Sequence, residues 1–253
     1  MTFLGTGTSH GVPMIGCDCT TCTSPDPRDQ RLRPSLLVEV PSGGQLLVDA
    51  SPDLRAQALR HNLRRVDGIL FTHAHADHVM GLDETRRFSA IQRAAVPCYG
   101  SPDTIDEIRR VFAYAFRDGH EGGGVPRLEL VAVREPFEAG GWPVVPIPIL
   151  HGTLPIYGYR IGRFAYLTDC SEIPEASWPL LEGVETLAVD ALRERAHPTH
   201  FNVEQALAAI ARVGPARALL THISHDLGHE ATSRRLPAGV ELAYDGLMLE
   251  VDA

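Results

Sequence analysis

This 253-residue chain has few cysteines, no long apolar run and no excess of basic charge. Its five cysteines are an odd number and three lie within six positions, which argues against a disulfide framework. No apolar run approaches the roughly 18–20 residues that span a bilayer, so we expect no membrane segment. Acidic residues (32) outnumber basic ones (23), so we expect no broad basic surface for binding extended nucleic acid.

The composition is typical of a globular protein from a reducing compartment. With 44% hydrophobic residues, the chain can bury a substantial core without crosslinks. Neither an internal repeat nor a long linker divides it, so we expect a single domain over residues 1–253. The first residues, Met1-Thr-Phe-Leu-Gly5, show no charged leader or apolar stretch. We therefore expect no signal peptide and a cytoplasmic location.

Apolar runs of strand length alternate with helical patterns along the chain. The predicted strands are 36–40, 46–48, 68–71, 128–133, 144–150, 157–161, 164–167, 186–189, 216–220 and 247–251. The predicted helices are 52–61, 104–116 and 203–213, and a glycine run at 122–124 predicts a surface loop. Helix 203–213 has Asn202 and Gln205 as a reciprocal N-terminal cap and Gly214 after its end. These elements predict an α/β fold of layered sheets flanked by helices.

A histidine-rich segment, His73-Ala-His75-Ala-Asp77-His78, directly follows the predicted strand 68–71. Alternate residues of extended backbone point the same way, so His73 and His75 can converge on one point. Asp77 and His78 turn into the next segment and can offer ligands to a neighbouring point. Three imidazoles and a carboxylate at this spacing favour a metal site over a solvated, histidine-rich turn.

Further candidate ligands stand at the ends of other predicted strands. His151, Asp169 and His222 follow three of them, and Asp49 follows a fourth. A single histidine or aspartate at a strand end is usually a turn or capping residue, but ligands in α/β proteins collect at such ends. The whole set predicts two divalent ions, with His73, His75 and His151 on one, Asp77, His78 and His222 on the other, and Asp169 bridging them.

These residues, in this order, resemble the H-x-H-x-D-H signature and flanking ligands of the metallo-β-lactamase superfamily. The resemblance covers nearly the whole chain and implies a four-layer αβ/βα sandwich with the metals at one edge. It also implies that Asp49 orients the ligand loop without binding metal itself.

A second cluster lies near the N-terminus, where Cys17, Cys19 and Cys22 form a C-x-C-x-x-C loop. Three thiolates need a fourth ligand to complete a tetrahedral zinc site, and His225 has no role in the dinuclear set. A loop of reduced cysteines without metal is the alternative. With the preceding Gly5-Thr-Gly-Thr-Ser9, the loop is similar to the phosphoribosyl 1,2-cyclic phosphate phosphodiesterase family of the carbon–phosphorus lyase pathway. That resemblance implies a structural zinc bound by Cys17, Cys19, Cys22 and His225, and it suggests a homodimer.

The narrower resemblance also implies that His200 stays off the metal and acts as general acid or anchors the leaving group. A neutral-range imidazole suits proton delivery to a leaving alkoxide. His197 is the nearby competitor, and the role of Asp190 stays open. We expect no chemical role for the remaining histidines, which are His10, His61, His120 and His229. His10, however, lies in an N-terminal loop that could face the site.

The residues together predict a metal-dependent hydrolase. Two divalent ions, zinc or manganese, would share Asp169 and a water that is deprotonated near neutral pH. The resulting hydroxide would attack phosphorus or a carbonyl carbon while His200 protonates the leaving group from the opposite side. The predicted catalytic residues are therefore His200, Asp77 and Asp169. The favoured substrate is a small (cyclic) phosphodiester.

Three alternatives remain open on the same scaffold. A thioester or lactone hydrolase would use the same site, because fold alone does not set the substrate. A tRNA 3′-end nuclease would need a long basic arm, and the segment 109–127 is neither long nor strongly basic. A non-catalytic metal or cofactor carrier, like the quinone-cofactor biosynthesis relatives of this scaffold, would need the ligands without turnover.

Overall fold

The computed structural model describes residues 1–117 and 124–251, so His120 and two glycines of the predicted loop at 122–124 lie outside the described residues. The strands in this part are β1 Thr2–Gly5, β2 Ser35–Glu39, β3 Gln45–Val48, β4 Gly68–Leu70, β5 Val96–Gly100, β6 Leu128–Ala132, β7 Phe137–Ala139, β8 Trp142–His151, β9 Leu154–Ile161, β10 Phe164–Leu167, β11 Thr186–Asp190, β12 Arg217–Thr221 and β13 Val240–Leu242. The α-helices are α1 Leu54–Arg60, α2 Ala76–Val79, α3 Arg86–Gln92, α4 Pro102–Val111, α5 Val203–Val213 and α6 His229–Ser233. Short 3₁₀ helices cover Pro27–Asp29, Leu82–Thr85, Ala113–Phe116 and Glu175–Leu181.

The strands form two mixed sheets. The first has the order β1-β2-β3-β4-β5-β6, and the second has the order β13-β12-β11-β10-β9-β8-β7. In the first sheet β1 to β3 pair antiparallel and β3 to β6 pair parallel. In the second, β7 to β10 pair antiparallel and β10 to β13 pair parallel. Loops that follow β10, β11 and β12 therefore emerge at one edge of their sheet.

Three apolar cores hold the layers together. Strand β12 shows how, because Leu219 points into the core between the sheets, whereas Ala218 and Leu220 point into the core under α5. A third core packs the outer face of the first sheet, including Ile69, against helices such as α1 and α4. The result is a helix–sheet–sheet–helix arrangement. The predicted αβ/βα sandwich is confirmed.

Most predicted elements occur within one or two residues of their predicted bounds. Helix α5 has the predicted bounds and the reciprocal cap, with Asn202 accepting from the Gln205 backbone and Gly214 in the left-handed region after its end. The predicted helix 104–116 instead begins at Pro102, because the Ser101 side chain caps it, and its last residues form a 3₁₀ turn. Strand β5 was not predicted, because its internal proline, Pro97, reads as a break in a strand pattern.

The predicted strand 247–251 is wrong. Only Met248 forms an isolated bridge, to Thr2 of β1. The backbone still pairs with the chain start around that bridge, since the Phe3 N–H donates to the Leu247 carbonyl at 2.9 Å and the Leu249 N–H donates to the Met1 carbonyl at 2.8 Å. Among the described residues, no helix has both the length and the apolar character needed to cross a membrane.

Candidate metal centre

The predicted ligands, and the orienting acid Asp49, lie where strands of both sheets end. Asp49 follows β3, His151 ends β8, Asp169 lies just beyond β10, and His222 directly follows β12. The histidine-rich segment follows β4, as predicted. Side chains from two sheets therefore meet at one edge of the sandwich, although they are far apart in sequence.

The histidine-rich segment contains a helix that was not predicted. His73 and His75 lie in extended backbone after β4, and the four-residue helix α2 then carries Asp77 and His78. The helical turn aims these last two side chains at a different point from the first two. Just after helix α2, Gly81 packs closely against the loop that follows β3. A side chain would not fit there, because an added Cβ would lie 1.9 Å from the Ser51 carbonyl oxygen.

Three residues of the centre have left-handed backbone conformations. Asp49, Asp169 and His222 have φ values of 63°, 56° and 57°. L-residues avoid this region at a cost of roughly 1–2 kcal/mol each, although aspartate tolerates it better than most. Backbone strain concentrated at one edge of a fold is typical of a functional site. Here it turns each side chain from the strand direction towards the centre.

The side chains form two adjoining donor groups. Ligand atoms of His73, His75 and His151 lie within 4.8 Å of one another, as do those of Asp77, His78, Asp169 and His222. The structure thus brings the predicted ligands together in the predicted partition. Ligand atoms of Asp169 and His151, one from each group, also lie within 4.8 Å of each other, as expected of a carboxylate between two ions.

The charges and unpaired atoms of the second group fit a metal. The buried Nε2 atoms of His78 and His222 make no hydrogen bond, although Asp169 oxygens lie 3.2 and 3.3 Å away. Burial disfavours charge on Asp169, yet the rings of His222 and His78 lower its pKa well below the usual value. Conversely, burial disfavours charge on His222, but Asp169 raises its pKa to about 9. Buried carboxylates here require adjacent positive charge, which divalent ions supply.

The first group offers neutral imidazoles. Burial lowers the pKa of His73, His75 and His151 below the ordinary value, which keeps the ring nitrogens available as ligands. His73 Nε2 and His75 Nδ1 lie 2.9 Å apart, and a hydrogen bond to the Thr199 carbonyl (2.7 Å) fixes His151 Nδ1. This donor set fits a divalent ion that prefers nitrogen ligands.

Asp49 lies where an orienting acid was predicted. Its Oδ2 atom contacts His78 Nδ1 at 2.7 Å and leaves Nε2 of that ring for the centre. The Thr72 backbone N–H donates to Asp49 Oδ1 at 2.9 Å, and the Thr72 hydroxyl lies 3.0 Å from His73 Nδ1. Thr72 was missed in the sequence because a threonine before a histidine motif carries no signal of its own.

His200 lies beside both donor groups, and its partner is Asp190. The His200 Nδ1 atom contacts Asp190 Oδ2 at 2.7 Å, and its ring stacks on His222 with the centroids 4.9 Å apart. Burial lowers the pKa of His200 to about 4, and burial also raises the pKa of Asp190. The role of Asp190 was left open in the sequence, although as the last residue of β11 it shares the strand-end position of the predicted ligands.

The other described histidines contribute no ligand atom to either donor group. His197 lies on the same loop as His200, with its Nδ1 atom 3.2 Å from the Thr199 hydroxyl. His10 is exposed on the wall of a cavity beside His200. His61 caps the end of α1, and the His229 Nδ1 atom lies 3.2 Å from the buried Arg31 guanidinium. Both lie outside the donor groups described above.

The predicted cysteine cluster is also assembled. Sγ atoms of Cys17, Cys19 and Cys22 lie 3.2, 3.4 and 3.6 Å from His225 Nδ1. A tetrahedral zinc with ordinary bond lengths separates sulfur and nitrogen ligands by roughly 3.5 Å, so this spacing fits one. The Cys22 backbone N–H lowers the pKa of Cys19 to about 6, whereas burial raises the pKa of Cys22 to about 11. The other two cysteines are buried in apolar cores.

Changing Cys19 to serine is expected to lower both the zinc content and the melting temperature. A structural zinc stabilises the fold directly, and each 1 kcal/mol lost lowers Tm by about 2–4 °C at this chain size. Elemental analysis and calorimetry measure the two effects, with Thr20→Ser, an exposed change in the same loop, as the control. An unchanged metal count in Cys19→Ser would exclude a structural zinc there.

The comparisons with known proteins agree with this geometry. Residues 45–223 match the beta-lactamase superfamily domain, which is most of the chain. The chain belongs to the metallo-β-lactamase superfamily. A crystal structure of a diphosphatase from the PhnP family is 45% identical, with a TM-score of 0.92 over 99% of this chain and 97% of that one. The superfamily resemblance seen in the sequence is confirmed, and the chain groups with the PhnP family. Divalent metal binding is the property that this metallo-β-lactamase fold implies.

Two further relatives are either longer than this chain or less similar to it in sequence. An octanoyltransferase of Porphyromonas gingivalis is 40% identical to this chain. The match covers 98% of this chain but only 51% of the octanoyltransferase. This chain spans about half the length of the first curated relatives it matches. Zinc-bound PqqB from Methylobacterium extorquens is 22% identical, with a TM-score of 0.77 over 99% of both chains, and shows the shared fold.

Proposed function

We propose that this protein is a dinuclear metal-dependent phosphodiesterase acting on small, including cyclic, phosphodiesters. The observation that carries the proposal is the position of His200. Its ring contacts His151 of one donor group, with centroids 4.7 Å apart, and stacks on His222 of the other. A proton donor held next to two adjoining cation sites suits hydrolysis that expels an alkoxide.

Two divalent ions, zinc or manganese, fit the two donor groups, with a third zinc in the cysteine cluster. The ions in the dinuclear centre would supply Lewis acidity and an acidified water when bound. The residues around them preset the ligands: Asp49 holds His78, and the Thr199 carbonyl holds His151. Such contacts fix the ring orientation and tautomer of a ligating histidine.

His200 is proposed as the general acid. Burial favours an uncharged pair, so a protonated Asp190 donates to Nδ1 and the neutral ring keeps its own proton at Nε2, which makes no hydrogen bond to the described residues. As a water oxygen bonds to phosphorus and the ester bond breaks, Nε2 gives its proton to the departing oxygen and Nδ1 takes the Asp190 proton. The pair then regains a proton from solvent. Asp190 is a positioning residue in this scheme, because it acts through His200.

The relatives support a phosphoryl substrate more than an acyl one. The PhnP-family protein whose structure matches this chain almost end to end is a diphosphatase. The octanoyltransferase is about twice as long as its part that matches this chain, so its acyl transfer is not assigned to this chain. We propose that residues 1–253 act as one hydrolase domain in the cytoplasm.

A substrate panel tests the proposal directly. Metal-loaded protein is expected to hydrolyse bis(p-nitrophenyl) phosphate and a ribose cyclic phosphate, but neither an acyl thioester nor a lactone. Initial rates under the same conditions compare the classes. Hydrolysis of acyl substrates only would replace the phosphodiesterase with the acyl hydrolase that shares this site, and no hydrolysis at all would favour a metal carrier.

A further inference from the structure

The loop of residues 14–24 is fastened to the rest of the protein through its thiols. Its backbone hydrogen bonds stay within the loop, as from the Thr23 N–H to the Cys19 carbonyl at 3.0 Å. Within residues 1–117 and 124–251, the only polar contacts that join this loop to a distant part of the chain end on His225. They come from the cluster thiols, which are Cys17, Cys19 and Cys22.

The cysteine cluster borders the cavity beside His200. Met14, at the start of the loop, and His225 both form part of the cavity wall. The Met14 N–H donates to Cys22 Sγ at 3.3 Å, so one thiol contacts both of these wall residues. The state of the thiols therefore decides how firmly this edge of the cavity is held.

The cluster is also where an oxidant can reach sulfur. Cys17 and Cys19 are half-buried, whereas Cys98 and Cys170 are fully buried in apolar cores. A thiol held next to a divalent ion is deprotonated, and the thiolate is the form that oxidants attack. Exposure and thiolate character together select the cluster over the two core cysteines.

We propose that the cysteine cluster is a site of reversible oxidation by hydrogen peroxide, and that a disulfide formed there releases the zinc and loosens the cavity wall. An accessible thiolate attacks one peroxide oxygen and hydroxide leaves. A second thiolate of the cluster then attacks the sulfenic sulfur and expels another hydroxide. Two electrons pass from sulfur to peroxide, and two protons from solvent convert both hydroxides to water. One thiolate and His225 remain, which are too few ligands for a structural zinc.

The dinuclear centre has its own attachments and should survive this change. The Ile223 N–H donates to the Thr6 carbonyl at 2.9 Å, and the Thr8 N–H donates to the Ile223 carbonyl at 3.1 Å. These bonds hold the backbone beside His222 without any thiol. We therefore expect the loosening to be confined to the cavity edge at Met14 and His225.

Oxidation of zinc-loaded protein by hydrogen peroxide tests the inference, since zinc itself has no redox chemistry. Peptide mapping is expected to find a disulfide within the cluster while Cys98 and Cys170 stay reduced. Elemental analysis after gel filtration should show the loss of one zinc per chain, and dithiothreitol with added zinc should restore it. A cluster that stays reduced, or a disulfide that forms without loss of zinc, would overturn the inference.

The kinetic consequence rests on the proposed phosphodiesterase function, whereas the thiol and zinc measurements do not. Oxidised protein is expected to show a KM for a ribose cyclic phosphate raised about tenfold or more, with a smaller change in kcat, because a wall is displaced and the ligands are not. Kinetic constants that stay unchanged after disulfide formation would contradict the loosening of the wall. If the wild type hydrolyses no phosphodiester, the proposed function fails, and the thiol and zinc measurements still decide whether the cluster is an oxidation site.

Met14→Leu is the matched control, because Met14 is a half-buried residue of the same loop that peroxide can also oxidise. The variant keeps every thiol and should respond to peroxide as the wild type does. Dithiothreitol should reverse the effect, since it reduces a disulfide but not methionine sulfoxide. A Met14→Leu protein whose KM no longer responds to peroxide would assign the kinetic effect to Met14 and contradict the role of the thiols.

Discussion

Replacing His200 by alanine is expected to lower turnover of an alkyl phosphodiester by about 10²–10⁴-fold, which is the usual contribution of a general acid. The loss should be smaller for bis(p-nitrophenyl) phosphate, because p-nitrophenolate leaves without protonation. The comparison of kcat for a ribose cyclic phosphate with kcat for the aryl diester measures this difference. Metal content should stay at the wild-type value, since the proposed ligands do not include His200.

Two companion variants make this result decisive. His61→Ala removes a histidine at the end of α1, outside both donor groups, and should leave turnover unchanged. His197→Ala tests the competing histidine of the same loop, and a larger loss there would transfer the acid role. If His200→Ala instead loses metal, His200 is a ligand and the assignment is wrong.

Replacing Asp169 by alanine is expected to abolish turnover and to release at least one of the two ions. Asp169 is buried at the junction of the donor groups, with oxygens 3.2 and 3.3 Å from the Nε2 atoms of His78 and His222. Its removal leaves those buried nitrogens without a shared anionic partner. Elemental analysis after gel filtration gives the ion count, and the phosphodiester rate gives the activity.

The controls for Asp169 address folding and charge. Asp169→Asn keeps the shape and suits the left-handed backbone at this position, so it should fold as the wild type does and still lose the bridge. Asp106→Ala removes an exposed carboxylate on α4 and should change neither metal content nor rate. Two ions and full activity in Asp169→Asn would refute the bridging role.

The cluster of proposed ligands was predictable because each of its residues carries a local signal. The spacing of His73, His75, Asp77 and His78 follows from strand and turn geometry, and the other predicted ligands end strands that read as apolar runs. Parallel strands bring such ends to one edge, so positions far apart in sequence could be expected to lie close together, as they do in the structure. The cysteine loop was equally visible, since three thiols at close spacing call for a fourth ligand.

Contacts that depend on three-dimensional neighbours were not predictable. Thr72 and the Thr199 carbonyl orient ligands through hydrogen bonds that no spacing encodes. Asp190 had the right strand-end position, but its pairing with His200 depends on how the loop folds back. The pairing of 247–251 also depends on three-dimensional neighbours, because the apolar pattern alone does not show that Met248 alone forms a bridge, to Thr2.

Phosphodiester hydrolysis as a function of metal loading tests the central claim most directly. Protein stripped of its weakly held ions by a chelator, with the cysteine-bound zinc retained, is titrated with manganese or zinc while the rate of bis(p-nitrophenyl) phosphate hydrolysis is followed. For a dinuclear hydrolase we expect almost no hydrolysis before metal is added, and a hydrolysis rate that rises and levels off at two metal equivalents per chain. Full turnover in the stripped protein, or no turnover at any loading, would contradict it.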